Sequence, residues 1–449
     1  MTTQTKRLSR AEQVHAATPP SRNRVVDFLR AAAITVVVLG HWTIVAVDPR
    51  TGIEPHGVLD HAPWTHPLTW VFQVMPIFFL VGGYSNAISW RSARKKDQTY
   101  GAWLRTRLRR LGIPLLPLLI IWLIICWVAI GFGAPLSTMQ LASQMALIPT
   151  WFLAAYLMVI VFAPLTLVAW ERFGWWSVII GLVLAGVVDL ISIGLDNALI
   201  GYANYVLVWV SVHQLGYAWL DGRLAGTARR LALAGIGAVG LALLVGLGPY
   251  PVSMITSGSD EISNSNPTRI TMAFLGMVQA GLVLAVEPAL SRVLQRPRLW
   301  LLTVLVNQRI MSWFLWHLTA MVGLAQLLLT LGGIGLVQPL TTGWWLTRPL
   351  WCLVLLAITA VFVLIFGRFE SPKPDPRPAP PIWKPVAAAI CCVGGVAVLA
   401  SVGLVGAQGV NWYWPVLVLA GMVAFGVLRM PWDRPRTPRA EQTDQPAVP

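Results

Sequence analysis

Charged side chains are scarce in this chain of 449 residues. Asp, Glu, Lys and Arg together make up 11% of it, whereas apolar residue types make up 56%. A soluble domain has about 25% charged residues, so the composition excludes an ordinary soluble globular protein. Because apolar runs of about 17–25 residues recur along the chain, the sequence predicts an all-α fold, a polytopic bundle of transmembrane helices.

Cysteine is also sparse. The four cysteines all fall within apolar runs, at Cys126, Cys352, Cys391 and Cys392. No spacing among them is typical of a metal site or of a disulfide framework, and no repeated halves are visible in the sequence. We therefore expect no metal cofactor and no disulfide-dependent fold.

The apolar runs predict twelve spans. They lie at about 26–47, 68–90, 111–131, 151–169, 175–195, 203–220, 231–248, 270–287, 310–331, 347–367, 385–406 and 412–428. The net charge of +15 is concentrated in alternate connections, which is typical of cytoplasmic loops. The first 23 residues are polar and lack the apolar core of a cleavable signal, so we expect the first span to direct insertion. Both termini are predicted to be cytoplasmic, and membrane lipids rather than nucleic acid are the expected partners of the positive charge.

Five parts of the chain follow from this reading. We predict a disordered cytoplasmic N-terminus at 1–23, a ten-span unit at 24–369, a flexible or polyproline-like Pro-rich linker at 370–384, two additional helices at 385–428 and a disordered cytoplasmic tail at 429–449. The ten-span unit is expected to carry the function.

Two polar residues stand out in the first span. Arg30 and His41 are eleven positions apart, so they lie on one helix face, about 16 Å apart along the axis. Ionisable groups inside a membrane are costly and indicate a functional site by default. A neutral imidazole can accept a proton from a hydroxyl or accept an acyl group itself, and the sequence leaves these two roles open. A structural hydrogen bond to a neighbouring helix accounts for His41 equally well.

A run of eight basic residues follows the second span, within 91–110. Such a run enforces topology in many membrane proteins, and it is also suited to binding the phosphates of a nucleotide-bearing donor. From this run we select Arg91, Arg94, Arg105 and Arg109 as candidate cofactor-binding residues.

Further polar and aromatic residues lie within or next to the later spans. These are Asp189, His213, His317, Trp151 and Tyr156. For any one of the ionisable residues a structural hydrogen bond between helices is the simpler interpretation, and Trp and Tyr are typical of the membrane interface. Together with His41 they predict a polar cavity, in which Asp189 is positioned to orient a histidine if the two meet.

Several segments together resemble the membrane acyltransferase-3 family of bacteria. They are RVVDFLRAAAITVVVLGHW, PIFFLVGGYSNA, RSAR, RLRRLGIP, PTWFLAAYL and SWFLWHLTA, spread over about residues 24–367. The most specific part is the combination of R-x10-H with the later RxxR. The chain departs from the family at Val81-Gly82-Gly83, where members often have Ser-Gly. It also has two more spans in place of a soluble C-terminal domain.

This resemblance implies a function and roles for single residues. It implies transfer of an acyl group, usually acetyl, from cytoplasmic acyl-CoA to a hydroxyl of a sugar or glycolipid of the cell envelope, in the bacterial plasma membrane. It further implies that His41 is the catalytic histidine and that Arg30, Arg91 and Arg94 are functional. HQLGYAW and the outer NPT segment look closest to actinobacterial members.

Two other functions are compatible with twelve spans. The chain could be a secondary transporter or lipid flippase, although such carriers usually have repeated halves. It could also be a non-catalytic scaffold for envelope assembly.

Overall fold

A computed structural model of the chain describes residues 8–258, 262–370 and 375–428. Residues 1–7 of the predicted N-terminal segment, 371–374 of the linker and the whole tail 429–449 lie outside the described residues. The predicted disorder of the tail therefore stays a prediction.

Helices dominate the described residues, which confirms the predicted all-α bundle. The helices are α1 (Arg10–Ala16), α2 (Arg24–Ile44), α3 (Gly57–His61), α4 (Thr69–Phe72), α5 (Met75–Lys95), α6 (Tyr100–Gly131), α7 (Leu136–Leu147), α8 (Pro149–Phe173), α9 (Trp175–Gly194), α10 (Ala198–Gly201), α11 (Asn204–Leu220), α12 (Thr227–Leu247), α13 (Ile270–Ala285), α14 (Glu287–Val293), α15 (Pro297–Gln308), α16 (Ile310–Thr330), α17 (Thr342–Phe366), α18 (Trp383–Val402) and α19 (Tyr413–Ala424). Short 3-10 helices occupy Pro63–Leu68 and Gly367–Glu370. The strands form two antiparallel hairpins, β1 (Ala46–Asp48) with β2 (Gly52–Glu54), and β3 (Val405–Gly406) with β4 (Gly409–Val410).

The chain is a multi-pass membrane protein. In the described part, nine helices are long and apolar enough to cross a membrane, and α13 with α14, bent by 53°, makes a tenth if the pair is one span. The remaining two predicted spans are helices as well, but they are shorter. Helix α11 has 17 residues, at the lower limit for crossing, and α19 has 12, whereas a straight span needs about 20.

Helix α2 begins at a strong N-terminal cap. The side chain of Asn23 accepts hydrogen bonds from the backbone N–H groups of Val25 and Val26. The helix continues to Ile44, and the chain then enters the hairpin of β1 and β2. Because α2 packs against α5 and α16, its polar face is turned toward these two helices.

Two glycines allow α5 and α11 to touch at the backbone. A Cβ atom at Gly83 would overlap the carbonyl group of His213, and one at Gly216 would overlap the carbonyl oxygen of Leu80. At Gly82 a Cβ atom would lie 2.8 Å from the ring of Tyr156. Small residues at such crossings permit the close approach of membrane helices, so this segment of α5 is fixed by packing.

Part of the N-terminal segment is folded, in contrast to the predicted disorder of 1–23. Ser9 and Glu12 form a capping box at the start of α1, and α1 packs against α15. A helix of 7 residues is unstable in isolation, so its stability comes from this docking, which local sequence cannot reveal.

The described part of the Pro-rich linker is attached to the bundle rather than free. Asp375 forms ion pairs with Arg377 at 2.7 Å, with Arg105 at 3.6 Å and with Arg109 at 3.8 Å. Helix α18 packs against α6, α7 and α8, and α19 packs on α18. The ion-paired linker thus anchors the C-terminal helix pair to the ten-span unit.

We expect the substitution Asp375→Asn to weaken this anchor. Burial alone would raise the pKa of Asp375, but hydrogen bonds from Arg377 and the charge of Arg105 lower it to about 2. Its contribution is therefore present above the ordinary Asp pKa of about 4 and is lost as the pH falls toward the folded value. Breaking a buried ion pair costs about 3 kcal/mol, so thermal unfolding at pH 7, followed by tryptophan fluorescence, should shift to lower temperature. Asp97→Asn, at an exposed position with a left-handed backbone that Asn also tolerates, is the control and should leave the transition unchanged.

Candidate functional site

A cavity of about 720 Å³ opens at the end of the bundle where α2 begins. This volume is in the range of small-molecule sites, about 300–1,000 Å³. Its walls come from the N-terminal segment, α2, α5, α6, α8, α15, α16 and Glu370. The lining includes four arginines, Arg22, Arg30, Arg107 and Arg110, and two carboxylates, Asp27 and Glu370. The positive surplus makes the cavity suited to an anionic ligand.

Arg30 lies in this cavity, as the sequence predicts for a functional residue. Its Nη2 donates to Ser85 Oγ at 2.9 Å, and its Nη1 lies 3.5 Å from Asp27 Oδ1. The other oxygen of Asp27 accepts a hydrogen bond from Arg22 Nε at 2.6 Å. One buried carboxylate therefore holds two guanidinium groups near the start of α2.

The arginines of α6 divide between two faces of the helix. Arg107 and Arg110 line the cavity. Arg105 donates to the backbone carbonyls of Arg377 and Pro378 in the linker, at 2.8 and 3.0 Å. Arg109 donates to the carbonyl of Val427 at 2.7 Å, beyond α19. The two α6 arginines selected from the sequence thus hold the C-terminal helices, whereas their two neighbours face the cavity.

Helical periodicity would have separated these two pairs. Residues 105 and 109 are four positions apart and share a face, whereas 107 and 110 lie on the opposite side, at about 100° per residue. The apolar run predicts a span that starts near 111, but α6 begins at Tyr100, so the basic residues of 105–110 lie within the helix.

Arg91 and Arg94 lie outside the lining of the cavity. Arg91 binds Asp221 at 2.6 Å and Glu171 at 3.1 Å, and Arg94 binds Glu171 at 3.0 Å. These ion pairs join the C-terminal ends of α5, α8 and α11. The contacts are those of a structural clamp, and the predicted donor-binding role of the two arginines stays a prediction.

Three phenylalanines form an aromatic part of the cavity lining. Phe78, Phe152 and Phe314 line it, and their rings are in contact, with centroids 5.2 Å apart for Phe78–Phe152 and 5.4 Å apart for Phe152–Phe314. The ring of Phe314 is 6.2 Å from that of His317. The three rings thus form an aromatic layer of the lining next to His317, and neither His317 nor His41 is among the lining residues of this cavity in the described part of the chain.

His317 forms a pair with His41 behind this layer. The Nδ1 atom of His41 is 2.8 Å from the Nε2 atom of His317, and the two rings are parallel within 3°. The indole of Trp42 donates to the carbonyl of His317 at 3.1 Å. The fold thus brings together two of the histidines selected from the sequence, through the contact of α2 with α16.

The hydrogen bonds fix the tautomers of this pair when both rings are neutral. The Nδ1 atom of His317 lies 2.7 Å from the carbonyl oxygen of Phe314, which can only accept, so this nitrogen carries a proton. The Nε2 atom of His317 is then an acceptor, and the Nδ1 atom of His41 must be the donor. The Nε2 atom of His41 is left unprotonated, as a general base or a nucleophile requires.

Asp189 belongs to a separate buried network at the other end of the bundle. It is fully buried and accepts hydrogen bonds from Asn204, Tyr250, Arg269 and the backbone N–H of Ile270, at 2.8 to 3.2 Å. No histidine is among its partners in the described ranges. The backbone of Phe314 orients the histidine pair, in place of the aspartate that the sequence suggested.

The other predicted cavity residues have mixed positions. Tyr156 lines the cavity. His213 is fully buried and bonds through Nε2 to Asn86, itself a lining residue, at 3.1 Å. Trp151 packs edge-on against Phe152 and Tyr205 and does not line the cavity that the structure describes. Ser85 and Asn86, which reasoning from the sequence did not select, complete the polar wall on α5.

The comparisons with known proteins give one family. A family model described as an acyltransferase domain matches residues 23–368, more than three quarters of the chain. No curated protein and no solved structure matches it. The histidine pair, the α6 arginines and most of the cavity lining lie within the matched range, whereas α1, the N-terminal part of the lining and the last two helices lie outside it.

The tautomers can be read directly. We expect the ring ¹⁵N spectrum of the protein in nanodiscs to show His41 protonated at Nδ1 and unprotonated at Nε2. The chain has seven histidines, so the signals are assigned by comparison with His41→Gln and His317→Gln variants. A His41 ring protonated only at Nε2 would contradict the hydrogen-bond assignment.

Proposed function

The chain belongs to the acyltransferase family whose domain model it matches, and we propose that it moves an acyl group, acetyl in the simplest case, from cytoplasmic acyl-CoA to a hydroxyl group of a cell-envelope sugar or glycolipid. It works in this proposal as a multi-pass enzyme of the bacterial plasma membrane. Membership of the family favours a transferase over the transporter, flippase or scaffold that the number of spans also permits.

One observation carries the proposal. The arginine-lined cavity and the free Nε2 atom of His41 lie at successive depths along α2, with Arg30 at one level and His41 about 16 Å further along the axis. The level of Arg30 is suited to binding an anionic nucleotide, and the level of His41 is suited to proton or acyl transfer. The thioester end of the donor would pass the aromatic layer of Phe78, Phe152 and Phe314, whose side chains rotate aside in this proposal.

The chemistry requires only groups that the site contains. In one route His41 Nε2 removes the proton of the acceptor hydroxyl, whose oxygen attacks the thioester carbonyl. The C–O bond forms, the C–S bond breaks, and the departing thiolate takes the proton from His41. In the other route Nε2 attacks the thioester carbonyl first, so that a C–N bond forms, the C–S bond breaks and CoA leaves as the thiolate. The acceptor oxygen then attacks the acyl-imidazole, the C–O bond forms, the C–N bond breaks to restore Nε2, and the hydroxyl proton neutralises the thiolate.

His317 acts as a positioning residue in both routes. Its Nε2 atom accepts a hydrogen bond from the Nδ1–H group of His41 and so keeps the Nε2 atom of His41 free. The carbonyl oxygen of Phe314 fixes His317 in turn, by accepting a hydrogen bond from its Nδ1–H group. Such an arrangement stabilises the positive charge that develops on His41, by the same principle as the aspartate of a catalytic triad.

Replacing His41 tests the proposal. We expect His41→Ala to lower acyl transfer by about 10²–10⁴-fold, the usual contribution of a general base. Purified protein in nanodiscs is incubated with acetyl-CoA and envelope glycolipids, and both free CoA and acetylated lipid are quantified by mass spectrometry. His61→Gln, at a half-exposed histidine of the outer loop bound to Glu54, is the matched control and should keep full activity. A His41→Ala protein that folds and still acetylates the lipid refutes the mechanism. If the unmodified protein releases CoA in a single burst when no acceptor is present, the acyl-imidazole route is the correct one.

The α6 arginines allow a second test. A charge-assisted hydrogen bond to a phosphate contributes about 1.5 kcal/mol or more, so Arg107→Gln and Arg110→Gln should each raise KM for acetyl-CoA by about tenfold. The effect should shrink at high salt. Arg105→Gln, on the linker face of the same helix, should lower thermal stability without raising KM. A higher KM for Arg105→Gln with an unchanged KM for Arg107→Gln and Arg110→Gln would place the donor site on the linker face of α6. Arg91→Gln, measured alongside, tests whether the ion-paired arginines of α5 also bind the donor.

A further inference from the structure

The N-terminal segment lies before the matched family domain, yet it forms one wall of the cavity. Val14, Ala17, Thr18, Pro19 and Arg22 belong to the lining, whereas the domain match begins at residue 23. The cytoplasmic mouth is therefore built in part by chain that the family domain does not include.

This wall is held in place by specific contacts. The indole Nε1 of Trp300, on α15, donates to Thr18 Oγ1 at 2.7 Å, and Trp300 is almost fully buried. Ala11 is buried on the face of α1 that packs against α15. We refer to residues 9–22 as the N-terminal strap.

Arg22 ends the strap at the cavity. Its Nε donates to Asp27 Oδ2 at 2.6 Å, while its side chain is 52% exposed. Asp27 is buried, and its backbone carbonyl also accepts a hydrogen bond from Asn307 at 2.9 Å. The carboxylate therefore orients the guanidinium through one nitrogen, and the two terminal nitrogens have no partner among the described residues.

The charges around Arg22 favour an anion next to it. Asp27 is shared between Arg22 and Arg30. Glu370, the other lining carboxylate, accepts the backbone N–H groups of Met311 and Ser312 at 3.1 and 2.7 Å, so it caps α16. Four lining arginines thus face two carboxylates that are already engaged.

We propose that the N-terminal strap completes the donor site and that Arg22, oriented by Asp27, binds a phosphate of the nucleotide end of acyl-CoA. The inference rests on the proposed function, because it takes the donor to be a nucleotide thioester. It assigns a binding role to chain outside the family domain. The strap stays docked on α15 when the donor binds, and the phosphate takes the free terminal nitrogens of Arg22.

The test compares two probes on the full chain. Calorimetry in nanodiscs gives Kd for CoA, which has the phosphates, and for pantetheine, which lacks them. We expect Arg22→Gln to lower the ratio of the pantetheine Kd to the CoA Kd about tenfold, since one charge-assisted phosphate contact is lost. Thr18→Val, which removes the acceptor of Trp300, should weaken CoA binding less strongly. Arg10→Gln, at an exposed arginine on α1, is the control and should match the unmodified protein.

The outcomes separate this inference from the proposed function. If the unmodified chain binds CoA and Arg22→Gln leaves the ratio unchanged, or weakens both probes equally, the strap is structural only and the inference is wrong. A variant that binds CoA more tightly shows that the strap blocks the mouth, which also overturns it. If the unmodified chain binds no CoA, the proposed donor is wrong and the inference falls with it.

Discussion

The hydrogen bond between His41 and His317 joins residues 276 positions apart in the sequence, and the candidate site depends on it. It fixes the rotation of α2 against α16, and the indole of Trp42 supports the same contact from the neighbouring position. In a membrane interior an imidazole without a partner is costly, so each histidine stabilises the other. The backbone carbonyl of Phe314 then decides which nitrogen of the pair stays free. The hydrogen bond that holds His41 to a neighbouring helix also leaves its Nε2 atom free for the proposed chemistry. The two interpretations that the sequence left open for His41 therefore do not exclude each other.

The basic residues near the cavity end of the bundle make three kinds of contact that composition alone cannot separate. One set lines the cavity, a second clamps α5 to α8 and α11 through Glu171 and Asp221, and a third holds the C-terminal helices through Asp375. An arginine paired with a carboxylate contributes little net charge, whereas four arginines against two carboxylates in the cavity lining leave a positive surplus. The electrostatic field that attracts an anion thus comes from the arginines of the cavity lining and not from all the basic residues at this end of the bundle.

The segments before and after the family domain both pack against it. The N-terminal strap docks on α15 and forms a wall of the cavity. Helix α18 packs on α6, α7 and α8, and of these α6 and α8 carry arginines and aromatic side chains of the cavity lining. The ion-paired linker lies on the same helix, α6, as the cavity arginines. The N-terminal strap and the C-terminal helices therefore pack against helices that line the cavity, and the strap also contributes lining residues.

Local sequence was sufficient for the membrane helices and for the common face of Arg30 and His41, because both depend on the length and period of a single apolar run. It also carried the motifs that resemble the family. Local sequence was insufficient for α1, because a helix this short is unstable without its contact with α15. It was also insufficient for the division of the α6 arginines, which depends on where that helix begins. The partner of His41 could not be identified either, because it lies on a helix distant in sequence. Each of these was decided by tertiary contacts: a docked surface, an extended helix and the approach of α2 to α16. The free nitrogen of His41 follows from the last of them, since a tautomer is set by the neighbours of a ring and not by the residues next to it in the chain.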